Sequence, residues 1–296
     1  MMLNSLNPSS GADSSSCSDS DSSLNSGLNS DLNSADSDEA EVLLNRKDDI
    51  AVIALNRPKV GNCINRDLAD GLVKALSQAA GDASVRVVIL KGNGRFFCTG
   101  GDIPRLTALT DNAARYDEIN NTGKAIQLIV SMPKPVICMV HGMVAGAGFG
   151  FALASDFVVS EKNTKFMSAF SKIGLVSDCA TAFNLANLVG KQRAKEFLML
   201  SEPIKAEYMY QLGLINRLTD EADLERETYK IAEKLLSMPP LSLRLTKEFV
   251  NNCDGMSLKQ AIAWEESAQT MCLGTEDFIE GTSAFLEKRP PLFHGK

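Results

Sequence analysis

The chain has 296 residues, 44% of them hydrophobic and 23% charged, and a formal net charge of −7. That length is enough for one large domain or two smaller ones, and the composition is that of an ordinary globular protein. The acidity is local: eight carboxylates lie in residues 1–41, which hold no Lys or Arg, so the near-neutral body offers no electrostatic footprint for nucleic acid.

Residues 1–40 are low-complexity Ser, Asn and Asp with a loose Ser-Leu-Asn-Ser echo at 23–26, 27–30 and 31–34. Such a stretch buries too little apolar surface to offset its ordering entropy, and disorder is expected there. It has neither the apolar core of a secretory signal nor the arginines of a transit peptide. No run reaches the roughly eighteen apolar residues of a membrane span, and a cytoplasmic location away from membranes is the expectation. The seven cysteines form no Cys-x-x-Cys pair, and His141 and His294 are the only imidazoles. Metal sites are therefore not expected, and buried, reduced thiols are.

Two strands, Glu41–Arg46 and Ile50–Leu55, flank an Arg-Lys-Asp-Asp turn. The spacing of Leu68, Leu72, Val73 and Leu76 predicts a helix over 66–79. A β-branched run at 86–90 predicts a buried strand. A long helix around 116–130, a strand at 135–140, a helix ending near Ser155 and a strand at 156–160 follow. From Thr181 onward the pattern is helical: 181–189, 192–200, 205–211, 221–237, 241–252, 257–271 and 276–288. The spacing thus describes an α/β core over 41–200 and a helical segment over 201–296.

Two small-residue turns stand out, each after an apolar strand: Phe97-Cys98-Thr99-Gly100-Gly101-Asp102, and Gly146-Ala147-Gly148 followed by Gly150. Glycine and alanine there let bare backbone N–H groups approach a ligand closely. Two such donors aimed at one oxygen stabilise a carbonyl that becomes an enolate. A dinucleotide fingerprint fits less well, because the second turn has Gly-x-Gly-x-Gly spacing and lies deep in the chain.

Together with Leu55-Asn56-Arg57-Pro58-Lys59, Ser171-Lys172-Ile173-Gly174-Leu175 and the ending from Glu280 to Pro290, these turns resemble the enoyl-CoA hydratase/isomerase (crotonase) family over residues 41–296. The resemblance implies a spiral of ββα units with a C-terminal helical segment used in trimerisation, hence a homotrimer or hexamer. It implies an acyl-CoA substrate, with no cofactor beyond the coenzyme A of that substrate. It assigns the oxyanion donors to the N–H groups of Gly101 and Ala147. It places Lys59, Gly61, Cys63, Phe285 and Lys288 on the CoA moiety and Phe170 against the substrate.

Hydratases of this family use two glutamates, and their positions fall on Gly150 and Phe170. What remains is Asp178, where isomerase-type relatives carry a proton-shuttling aspartate. One carboxylate suffices to move a double bond, and its pKa should be raised by an apolar pocket that Phe170 and Leu175 could form. Asp178 also directly precedes a predicted helix over 179–189, where it would serve as N-cap with a lowered pKa. Three other readings stay open: a hydratase, a non-catalytic acyl-CoA binding protein, and an aryl-CoA dehalogenase, whose segment resembles the run from Asp178 to Gly190. Against the last, its ring-polarising Trp falls on Phe170 and residues 116–131 hold no His. Asp102 is expected to tie its loop, His141 to hydrogen-bond within one, and Cys98 and Cys179 to pack. Of the acidic pair Asp117 and Glu118, either could reach the acyl pocket.

Overall fold

A computed structural model describes residues 40–296. Residues 1–39, and with them the expectation of a disordered leader, lie outside the described residues. The chain opens with a hairpin of β1 (Val42–Lys47) and β2 (Ile50–Leu55), then α1 (Arg66–Gly81) and β3 (Val87–Gly92). Two helices, α2 (Ile103–Ala108) and α3 (Asn112–Ser131), precede β4 (Val136–Val140) and a short β5 (Met143–Ala145). Next come α4 (Ala147–Ala154), β6 (Phe157–Glu161), β7 (Lys165–Met167) and α5 (Thr181–Leu200). Then β8 (Ile204–Lys205), α6 (Ala206–Gln211) and β9 (Arg217–Thr219) lead to α7 (Leu224–Leu236), α8 (Pro240–Asn252), α9 (Leu258–Leu273) and α10 (Glu276–Glu287).

One sheet has six strands in the order β1-β2-β3-β4-β6-β9, the other three in the order β5-β7-β8. Only β1 runs antiparallel in the larger sheet, pairing Val42 with Leu55 and Lys47 with Ile50. A parallel sheet needs cover on both faces, which explains the unbroken apolar runs of β2, β3 and β4. Ile53, Leu55, Val88, Leu90, Cys138 and Val140 face the main core with α1 and α4. Ile50, Val87, Ile89, Ile137, Met139 and Val159 face α7 through Leu224, Ala232 and Leu235. Strands β8 and β9 and helix α7 all come from beyond residue 200, so the helical segment and the α/β core share one interior.

The short elements β5, α2, β7, β8 and β9, with two to six residues each, carry too few residues for periodicity to reveal. The two helices expected over 181–200 appear as one span broken at Gly190, whose φ of 76° lies outside helical geometry. Helix α4 is buried almost all round, so its axis runs through the core rather than along a surface. Its first turn opens at the ends of β4 and β5, and that end of the molecule holds the site.

Candidate active site

The first small-residue turn is held on two sides. The Cys98 N–H donates to the Met143 carbonyl at 3.2 Å, and the Ala145 N–H to the Cys98 carbonyl at 2.9 Å, binding the turn to β5. From the other side, the Ile64 N–H donates to the Gly100 carbonyl at 2.7 Å and the Asp102 N–H to the Ile64 carbonyl at 2.9 Å. Asp102 then caps α2 by accepting from the Arg105 N–H at 3.3 Å and binds the Arg57 guanidinium at 3.1 Å. Burial pushes that carboxyl up, but the Arg57 and Arg105 hydrogen bonds outweigh it and hold the group below its ordinary value. Asp102 ties the loop, as expected.

The second turn packs directly on the first. Gly146 has φ +53°, and a Cβ there would lie 3.0 Å from Gly100 Cα and 4.0 Å from the Gly101 nitrogen. Only glycine permits both that backbone and that approach. Ala147, next in the chain, opens α4, whose positive end favours a developing negative charge. Neither the Gly101 nor the Ala147 N–H donates to a backbone carbonyl among the described residues. Both residues line one cavity of about 190 Å³, together with Phe170 and Asp178. Phe170 is buried, and its ring tip lies 3.7 Å from where a Gly146 Cβ would stand.

Asp178 is not a helix cap. The expected helix start at Cys179 moves to Thr181, because Cys179 and Ala180 both adopt left-handed backbone with φ of 53° and 54°. It is the Asp178 main-chain carbonyl that accepts from the Thr181 N–H, at 2.9 Å. The carboxylate Oδ1 is sealed from solvent with no hydrogen-bond partner among the described residues. Burial pushes this carboxyl above its ordinary range, with the adjacent Cys179 thiol acting in the opposite direction to a smaller extent. The same burial pushes the Cys98 thiol up to about 12 and raises that of Cys179, so neither is a ready thiolate.

Of the two positions that the family resemblance assigns to hydratase glutamates, Gly150 is closed and Phe170 puts a ring in the cavity wall. A Cβ on Gly150 would stand 2.6 Å from both the Cβ and the carbonyl oxygen of Cys179, so the 178–181 loop occupies the space a side chain would need. The other carboxyl in the cavity is Glu118, on α3. It falls in register with the buried stripe of Asn121, Thr122, Ala125, Ile126 and Ile129, and that polar residue on a core-facing stripe was its signal in the sequence. Asp117, its neighbour, is exposed.

The residues expected on CoA are placed differently. Lys59 is exposed on a short 3₁₀ turn, Pro58–Val60, and Gly61 follows with φ +67° against the Thr99 side chain. Cys63 accepts from Arg57 Nη1 through its carbonyl at 2.7 Å and precedes Ile64, which lines the cavity. Phe285 and Lys288, on and just after α10, are not in its wall: Phe285 lines a separate cavity among the C-terminal helices, and Lys288 is exposed. His141 Nε2 lies 2.7 Å from the Gly94 carbonyl, a loop contact. Among the described residues no three His, Cys, Asp or Glu side chains cluster as metal ligands, and no helix is long and apolar enough to cross a membrane.

A family model described as enoyl-CoA hydratase/isomerase matches residues 45–296. The chain belongs to the enoyl-CoA hydratase/isomerase family. It is 32% identical over 252 residues to 1,2-epoxyphenylacetyl-CoA isomerase of Escherichia coli K12, covering 83% of this chain and 95% of that one. It is 33% identical over 257 residues to crotonyl-CoA hydratase of Syntrophomonas wolfei, covering 86% and 98%. Among solved structures, an enoyl-CoA hydratase from Polaromonas sp. JS666 superposes with a TM-score of 0.83 at 31% identity, over 86% of this chain and 99% of that one. The crotonase fold expected from the motifs is therefore the fold observed. The family's relatives include both hydratases and isomerases, so membership establishes enoyl-CoA chemistry and leaves the reaction to the site.

Proposed function

We propose that this family member is an enoyl-CoA isomerase that moves a double bond, from 3-enoyl-CoA to 2-enoyl-CoA or an equivalent shift. The observation that supports it is a half-buried Asp178, its Oδ1 sealed from solvent without a partner, in one cavity with two N–H groups that donate to no backbone carbonyl among the described residues. By the family resemblance, Gly150 and Phe170 stand where a hydratase has its glutamates. In this reading the Asp178 carboxylate removes the C2 proton. The C–H electron pair becomes a dienolate whose oxygen lies between the Gly101 and Ala147 N–H groups. Asp178 then returns the proton to C4, and the double bond settles between C2 and C3. Coenzyme A arrives as part of the substrate, so no further cofactor is needed, and Lys59, Gly61 and Cys63 flank its path. In the same reading Phe285 and Lys288, which lie outside this cavity, reach CoA from the next subunit of a homotrimer or hexamer.

The test is to mix the purified protein with a 3-enoyl-CoA and follow formation of the conjugated thioester. Wild type is expected to turn over and Asp178→Asn to lose about 10²–10⁴-fold in kcat, the usual worth of a positioned acid–base group. Hydration without isomerisation, or full activity of Asp178→Asn, would overturn the assignment.

A further inference from the structure

Glu118 is an expensive residue to place in a hydrocarbon pocket. Its side chain is 8% exposed, and its neighbours on the cavity wall include Ile103, Leu106 and Ile119. Arg105 reaches it from α2, donating from Nε to Oε1 at 2.7 Å and from Nη2 to Oε2 at 3.3 Å. The arginine is 41% exposed, so the ion pair neutralises the carboxylate from the solvent side. Each oxygen thus has one partner, whereas an ionised carboxylate offers about four acceptor positions. The positions left over belong to a group that lines the cavity.

The cavity has two walls of different origin. Asp178 and Phe170 come from the segment ahead of α5, and Glu118 comes from α3, tied to the α2 that follows Gly101 directly. In the acyl-CoA reading the reacting carbons lie with Asp178 and the two N–H donors, and Glu118 lines the same cavity from α3. An alkyl chain passing it would displace water from the carboxylate without replacing the hydrogen bonds, an unfavourable exchange. A carboxylate on the chain has no proton to donate to the open acceptor positions and would have to shed its own hydration. An ammonium would meet a pair that Arg105 has already neutralised. A neutral hydroxyl, donating its proton to Glu118, satisfies the site.

Resting on the acyl-CoA reading above, we infer that Glu118 selects thioesters whose acyl chain carries a neutral hydroxyl group, accepting its O–H within the acyl cavity. Arg105 is the positioning residue that holds the carboxylate in place.

Binding of unreactive thioesters tests this apart from turnover. Saturated acyl-CoAs from butyryl to octanoyl are titrated calorimetrically beside their ω-hydroxy and ω-carboxy counterparts. At the chain length that reaches Glu118, the hydroxyl form is expected to bind at least about tenfold tighter than the alkyl form, and the carboxy form weakest. Glu118→Leu should reverse the order of hydroxyl and alkyl forms, and Glu118→Gln, which keeps an acceptor oxygen, should retain part of the preference. Equal binding of alkyl and hydroxyl forms at every length, or a preference that survives in Glu118→Leu, would overturn the inference while leaving the isomerase reading intact. Failure of every thioester to bind would remove the acyl-CoA reading and this inference with it.

Discussion

Asp178, the base of the proposed reaction, shows how a residue placed for chemistry can work against the stability of its own fold. Its half-buried carboxyl has a folded-state pKa above the unfolded value, so the native state holds its proton to higher pH than the unfolded chain does. The contribution to stability is fully present below the unfolded pKa and is lost as pH rises through the folded one. At neutral pH the ionised carboxylate is thus a burden that Asn would not impose. Asp178→Asn is expected to raise the midpoint of thermal unfolding at neutral pH, with the difference from wild type vanishing toward pH 4. Melting curves across that range check it. The acid limb of the pH–rate profile should likewise lie above an unperturbed carboxylate, because the base must be ionised to act.

Helices carry the other residues of the proposed reaction, and each can be tested as an element. Ala147 is the first residue of α4, a position where proline is accepted because its missing N–H leaves the helix bonds intact. Ala147→Pro should therefore delete one of the two proposed oxyanion donors while α4 persists. The expected loss is about 10²–10³ in kcat with an unchanged circular dichroism spectrum. At the opposite end, Lys247 of α8 docks the C-terminal helices onto the core. Its Nζ donates to the Ile129 and Lys134 carbonyls at 2.8 and 3.0 Å and to Asp156 at 2.7 Å, with a side chain only 8% exposed. Lys247→Ala would strand Asp156 in the interior, and denaturant titration should show a loss of about 3–5 kcal/mol.

Over the whole molecule, apolar surface gathers on the C-terminal helices. Phe285, Leu286 and Leu292 are 82%, 79% and 70% exposed, and Phe183, Met199 and Leu200 on α5 are exposed as well. Large apolar side chains left this exposed are what a subunit interface would cover. We expect the chain to sediment as a trimer or hexamer, and Phe285→Asp to shift it toward monomer. If Phe285 and Lys288 contact CoA across that interface, the same variant should also weaken acyl-CoA binding. A monomeric wild type with full affinity would separate the two ideas.

The residues themselves determined a good deal. Apolar periodicity placed the long helices and the central strands, since core strands and amphipathic helices carry their pattern locally. The paired turns around Gly101 and Ala147, in order and spacing, marked two segments that line one cavity. Tertiary structure decided what depends on neighbours far along the chain. Whether Asp178 caps a helix or points into a cavity turned on two left-handed residues, which no periodicity encodes. The burial of Glu118, the closure of Gly150 by a loop nearly thirty residues later, and the sharing of one interior by both halves were likewise set by packing between distant segments. Contacts within one turn or strand are written in adjacent residues, and contacts across the fold are not.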